Sequence, residues 1–269
     1  MKFFLKFVLA LGFVLPFTSI YAEKRDTSVV VKIIRHGWDD GIDYLVSPVH
    51  WDAGEWLTAA GVVSGTAALI AWGDQPVYDF ANTLHAPFLD AVSPWLEPSE
   101  DIYPLIAVSG LLLHGLLTKD NYNLETALIA GESFLFTSAV THLFKHTTSR
   151  ARPYDEAITN PHQWSGPFFK GNSFFSGHTS ASFSVASVLA YRYRDTGWVP
   201  VLSYGLATLC GLQRIYENRH WASDVLMGAA VGTATGLFLC RQWEKSTIRF
   251  YPVISPVETR LTLVIPIQP

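Results

Sequence analysis

Residues 126–153 read TALIAGESFLFTSAVTHLFKHTTSRARP, and the character of the chain changes within that stretch. From Thr126 to Phe144 the residues are mostly apolar or small, a run suited to one packed helix. From Lys145 the chain turns polar and basic, and Arg152 stands directly before Pro153. Proline restricts the preceding residue to extended backbone, so Arg152 presents its planar fork in a defined direction, a geometry suited to phosphate. Lys145 has a plainer reading as a cation that complements a helix C-terminus. Ser149 and Arg150 read as solvated.

Five further apolar stretches flank this one: Trp56 to Gly73, Ile102 to Thr118, His178 to Tyr191, Thr196 to Gln213 and Val225 to Cys240. Ala, Gly, Ser and Leu dominate several of them, and small residues let helices approach closely. The expectation is an all-α, six-helix bundle over 56–241, preceded by a surface-packing segment at 23–55. After Lys245, apolar residues interleave with Pro, Ser and Thr around Pro256-Val257-Glu258-Thr259, so 242–269 reads as a tail of short extended segments.

Each apolar stretch is at or below the roughly 18 to 20 residues that a membrane span needs, and Glu132 interrupts one of them, which favours a bundle outside the bilayer. Charge placement points the other way. Asp74, Asp79, Asp90, Glu97, Glu100 and Asp101 fill a connection without Lys or Arg, while Arg192, Arg194, Arg241 and Lys245 mark the opposite ends. That asymmetry puts the motif-bearing ends outside a cell membrane. Residues 1–22, with Lys2 and Lys6, an apolar run from Phe7 to Phe17 and Ala22 before a charged segment, resemble a bacterial secretory signal. Six spans with motifs outside would leave 23–55 on the inner face, whereas a working signal would export it. One assumption must give way: translocation by the first segment, the full span of every stretch, or the membrane itself.

The chain is 49% hydrophobic and 16% charged with net charge -4, and its mean hydropathy is +0.21. A chain this acidic, with no Lys/Arg-rich run, is a poor partner for nucleic acid. Cys210 and Cys240 fall at opposite ends of neighbouring helices, roughly 20 Å or more apart by helical rise, too far for a disulfide. His142 and His146 share helical spacing but lack the Glu and third ligand of a metal site.

Two further clusters carry chemistry. Ser176-Gly177-His178 opens an apolar run, where free backbone N–H groups at a helix start bind anions and glycine permits close approach; a capping serine beside a packed histidine is the plainer reading. Arg214, His220 and Asp224 form the second. His220 and Asp224 are four apart, so the carboxylate can hold one ring nitrogen and leave the other to attack.

Together Lys145-x6-Arg152-Pro153, Ser176-Gly177-His178 and Arg214-x5-His220-x3-Asp224 resemble the signature of the type 2 phosphatidic acid phosphatase and vanadium haloperoxidase superfamily, with Phe175 where that family has Pro and Gln213 where it has Ser. The resemblance covers about 125–240. It implies His220 as a nucleophile that becomes phosphorylated, Asp224 as its orienting partner and His178 as the acid for the leaving oxygen. Lys145, Arg152, Ser176, Gly177 and Arg214 would hold the phosphoryl oxygens, with no cofactor and no metal. The expected activity is phosphatase action on a lipid phosphate or pyrophosphate at the cell envelope. The alternatives are a soluble periplasmic acid phosphatase, a vanadium haloperoxidase and a non-catalytic scaffold.

Overall fold

The computed structural model describes residues 39–154, 160–169 and 171–245, together with the backbone of 249–254 and 259–264. The signal-like segment at 1–22 and the first part of 23–55 lie outside the described residues. Helix α1 (Ala53–Ala68) passes through a widened π turn at Leu69–Gly73 into α2 (Asp74–Thr83); α3 (Pro87–Val92) and a 3-10 stretch (Ser93–Glu100) lead to α4 (Ile102–Thr118). Then come α5 (Asn121–Thr148), α6 (Gly177–Arg192), α7 (Trp198–Tyr216) and α8 (Ala222–Lys245), with strands β1 (Arg249–Ile254) and β2 (Thr259–Val264) at the end.

Local chemistry sets the helix ends. Asp52 and Glu55 form a reciprocal capping box at the start of α1, satisfying donors that the first turn leaves unpaired. Asp120 accepts from the N–H groups of Tyr122 and Asn123 to open α5. Ser149 closes α5 in left-handed backbone, its N–H donating to the Lys145 carbonyl at 3.1 Å. That reversal carries the chain from Lys145 back over the bundle end and so places the Arg150–Pro153 segment.

Helix α6 is central, packed by α5, α7 and α8. Its contact with α8 is close because Gly228, Gly232 and Gly236 recur every four residues and lie against α6. A Cβ on Gly232 would come 2.3 Å from the Ser180 carbonyl oxygen, and one on Gly236 2.6 Å from that of Ser184. Backbone cannot yield as a flexible side chain would. Gly232→Ala should therefore separate the two helices, at a cost of about 1–3 kcal/mol. Thermal unfolding in detergent should show a lower midpoint, with Gly61→Ala, whose Cβ meets nothing within 4 Å, as the neutral control. Beyond this seam, Ile129, Phe134, Val185, Val188, Leu239 and Trp243 form the buried core.

The outer faces are apolar. Leu57, Trp72, Leu117, Val201, Leu206 and Leu209 are exposed on the helices, an arrangement suited to lipid. Among the described residues Ala53–Thr83, Asn121–Thr148 and Ala222–Lys245 are long and apolar enough to cross a membrane; Pro87–Glu100 with Ile102–Thr118, bent by 61°, adds a fourth if taken as one span. This is a membrane protein, and the parity problem eases because not all six apolar stretches qualify as full spans. Helix α6, at 16 residues, is short because its role is packing inside the bundle.

Helix α8 runs to Lys245, past the boundary at 242 expected for the tail, and the described backbone beyond it is extended. Strands β1 and β2 pair antiparallel, Arg249 opposite Val264 and Ile254 opposite Thr259. Two expectations need correction. Asp74 to Asp101 is no acidic loop but consecutive helical segments, and Asp74 is buried. Arg150 is not solvated, since it is fully buried, and Ser149 is buried with it.

Candidate active site

One end of the bundle collects the C-termini of α5 and α7 and the N-termini of α6 and α8. Lys145, in the last turn of α5, is buried there. Ser176 caps α6, its hydroxyl accepting from Thr179 N–H at 3.3 Å and from the Thr179 hydroxyl at 2.9 Å. The Ser176 N–H donates to the Asp224 carbonyl at 3.1 Å, which fastens the start of α6 to the start of α8. The following N–H groups of Gly177 and His178 open a helix and have no intrahelical acceptor, so they can receive an anion.

Arg214 is buried in the last turn of α7. His220 sits in the turn before α8, its N–H donating to the Arg214 carbonyl at 3.2 Å. The histidine therefore meets Asp224 through a turn and not along a helical face. Its Nδ1 lies 3.5 Å from Asp224 Oδ2. That oxygen also accepts from the Ser173 hydroxyl at 2.5 Å and from Trp221 N–H at 3.0 Å. Burial pushes the His220 imidazole down to about 3; the Asp224 carboxylate opposes this, and Arg152 and Lys145 reinforce it. At neutral pH its ring is uncharged. Arg152 is half-buried and donates from Nε to Asn172 Oδ1 at 2.8 Å, which leaves its terminal nitrogens for another acceptor.

The cations of this pocket already face carboxylates. Glu100 Oε2 lies 2.9 Å from His178 Nδ1, and its other oxygen lies 3.9 Å from Lys145 Nζ. A Cβ on Gly177 would come 2.3 Å from Glu100 Oε1, so the carboxylate rests on the glycine itself. Glu97 pairs with Arg214. Both glutamates come from Ser93–Glu100, and the neighbouring Phe88 and Trp95 are exposed. Gln213, at the position where a serine was expected, does not reach toward this pocket. Its amide donates to the Ser93 hydroxyl at 2.9 Å while its carbonyl oxygen accepts from Arg214 Nε at 2.6 Å. Phe175, the other departure, is buried against Phe144 with ring centroids 5.5 Å apart, so aromatic packing holds the loop.

All eight residues singled out in the sequence lie at this end, seven around the same pocket and Arg152 on its loop side. The sequence reading missed Ser173, Glu97, Glu100, Asp74 and Arg150. Arg150 donates from Nη1 to Asp224 Oδ1 at 2.5 Å. The spacing of Glu97 and Glu100, three apart beside an apolar helix, was a usable signal of a shared direction. His142 and His146 are exposed on α5.

The family model of the PAP2 superfamily matches residues 126–248, a range containing every one of those eight residues. Over that range the chain is similar to the PAP2 superfamily. Among curated proteins, the chain is similar to the lipid A 1-phosphatase of Porphyromonas gingivalis, 47% identical over 66 residues, which is 24% of this chain and 15% of that one. It is also similar to phospholipid phosphatase 1 of Rattus norvegicus, 29% identical over 162 residues, 48% of this chain and 57% of that one. The chain thus spans less than two thirds of each of these relatives. The PAP2-type phosphatidylglycerolphosphate phosphatase of Bacillus subtilis aligns at a TM-score of 0.49 and 20% identity, over 69% of this chain and 94% of that one. Within the matched range, the signature residues occupy helix ends and turns, where backbone N–H groups and side chains converge.

Proposed function

We propose that the chain is a phosphatase acting on a lipid phosphate or pyrophosphate through a phosphohistidine at His220. The observation that carries this reading is the cluster of Lys145, Gly177, His178, Arg214 and His220, in which protein carboxylates stand against the groups that would hold phosphoryl oxygens. His220 Nε2, the nitrogen turned from Asp224, attacks phosphorus. A P–N bond forms, the P–O bond to the leaving group breaks, and His178 gives its proton to the leaving oxygen. Water then attacks phosphorus and passes a proton to His178 as the P–N bond breaks. Lys145, Arg152, Arg214, the Ser176 hydroxyl and the N–H groups at the start of α6 stabilise the charge that develops on phosphorus. These fixed cations supply what a divalent ion supplies elsewhere, so turnover needs no metal.

The pocket lies at helix ends, near the level of a lipid head group, and exposed apolar faces surround the bundle. A membrane-borne substrate fits this setting better than a soluble ester. We place the protein in a bacterial envelope with the pocket on the periplasmic side, 56–241 as the catalytic domain and 242–269 as an appendage. A reporter inserted in the turn at 217–218 should behave as external, and cytoplasmic behaviour contradicts that orientation.

The deciding assay is purified protein in lipid nanodiscs, tested against phosphatidate, isoprenyl pyrophosphate, a lipid A phosphate and soluble phosphomonoesters. Release of phosphate from a lipid substrate, vanadate inhibition and persistence in EDTA are expected; activity lost in EDTA and restored by Mg²⁺ or Zn²⁺ excludes the metal-free mechanism. Glu100 competes with an incoming anion for Lys145 and His178. Glu100→Gln should therefore tighten vanadate inhibition about tenfold, equivalent to roughly 1.4 kcal/mol. Weaker inhibition would show that the carboxylate supports anion binding instead.

A further inference from the structure

We propose that Asp74 and Arg150 are positioning residues that clamp the Asp224 carboxylate against His220 and tie it to the first long helical stretch. The proposal takes its reaction from the phosphatase reading, and its geometry stands independently of it.

All five N–H donors of Arg150 are spent on fixed partners. Nε and Nη2 donate to the Pro161 carbonyl at 3.1 and 2.8 Å, and Nη2 also donates to Asp74 Oδ2 at 2.6 Å. Nη1 donates to the Ser223 hydroxyl at 2.7 Å and to Asp224 Oδ1 at 2.5 Å. Asp74 is equally committed, accepting from the Ser223 N–H at 2.9 Å and from its hydroxyl at 2.6 Å. The guanidinium lies 4.8 Å from the Trp164 ring centroid and 5.6 Å from that of Trp221. Gly171 makes room for this segment: its φ is +129°, and a Cβ there would come 2.4 Å from the Ser149 carbonyl oxygen.

A buried cation between two buried carboxylates is a weak device for stability, because desolvation consumes most of the Coulombic gain. It is a strong device for orientation. Arg150 fixes Asp224 Oδ1, and the remaining oxygen can then face only Ser173, Trp221 N–H and His220. Asp74 fixes Arg150 from the opposite side. The π turn at Leu69–Gly73 ends directly before Asp74 and directs its side chain inward, as such widened turns often do beside functional sites.

The groups whose charge His220 feels are Asp224, Lys145, Arg152 and Glu100, with Arg150 and Asp74 acting through Asp224. Removing the cation exposes the imidazole to uncompensated negative charge, whereas removing Asp74 does the reverse. The test uses full-length protein in nanodiscs, with kcat and KM on a phosphate ester and NMR titration of labelled histidine. Both Arg150→Gln and Asp74→Asn should lower kcat by about 10- to 100-fold while KM stays within about threefold. Arg150→Gln should raise the His220 midpoint by at least about one pH unit, and Asp74→Asn should not raise it. Wild-type kcat in either folded variant, or an unmoved midpoint in folded Arg150→Gln, overturns the proposal. If Arg150→Gln does not fold, Asp74→Asn and Ser223→Ala decide it: reduced kcat at unchanged KM supports the clamp, and wild-type kcat removes it. A wild-type protein inactive on every phosphate sinks the phosphatase reading, while the opposed midpoint changes still decide this one.

Discussion

His220→Ala should leave a folded protein that turns over neither nitrophenyl phosphate nor an alkyl phosphate, with kcat lower by about 10⁴-fold or more, the scale on which loss of a nucleophile acts. Rapid-quench labelling should find acid-labile phosphate on the wild type and none on the variant. Retained turnover of the nitrophenyl ester would remove His220 from the nucleophile's role. The structure also fixes a pH expectation. Because burial holds the imidazole neutral down to about 3, the nucleophile is ready throughout the physiological range. In the unfolded chain it titrates near the ordinary value of about 6.5. The unfolded state therefore binds the extra proton first, so stability from this group is intact above about 6.5 and declines as pH falls from there toward about 3. NMR should find His220 neutral at pH 5, and a midpoint near 6.5 would contradict its burial.

His178→Ala should discriminate between substrates. An alkyl phosphate leaves as a basic oxygen that needs a proton, and general acid help of this kind is worth about 10²- to 10⁴-fold. Nitrophenolate leaves without that help, so the variant should lose far less on the nitrophenyl ester. The side chain sits at the start of α6 with Nδ1 2.9 Å from a Glu100 oxygen, which fixes the direction of the ring. Equal loss on both substrates would assign His178 to phosphate binding alone.

The helices were legible because long apolar runs with small residues have few other solutions, and Ile102 to Thr118 coincides with α4. The signature residues were legible as a set, since their order and spacing constrain one another. Arg150 was not. It lies between Lys145 and Arg152 in a polar stretch, and a side chain's direction in a loop follows from tertiary contacts that periodicity does not encode. Asp74 was hidden among other acidic residues, although its place at the end of an apolar helix is where an unexplained charge signals function. The acidic segment bears on more than orientation for the same reason. Glu97, Glu100 and Asp74 are counter-charges to the site's own cations, so they carry less information about which side of a membrane they face.

Helix α6 contains 16 residues and is about 24 Å long, whereas a hydrocarbon core is about 30 Å thick. Since α6 carries Gly177 and His178 at its first turn and is too short to reach both boundaries, a bilayer that meets its other end would place the pocket slightly below the head-group plane. A phosphate must be drawn inward to reach it, or the lipid around it must thin. On the phosphatase reading, the rate should then depend on acyl-chain length in the host membrane, independently of the substrate's own chains. The bilayer is in that sense part of the enzyme's geometry, setting how far a head group must sink before chemistry can begin.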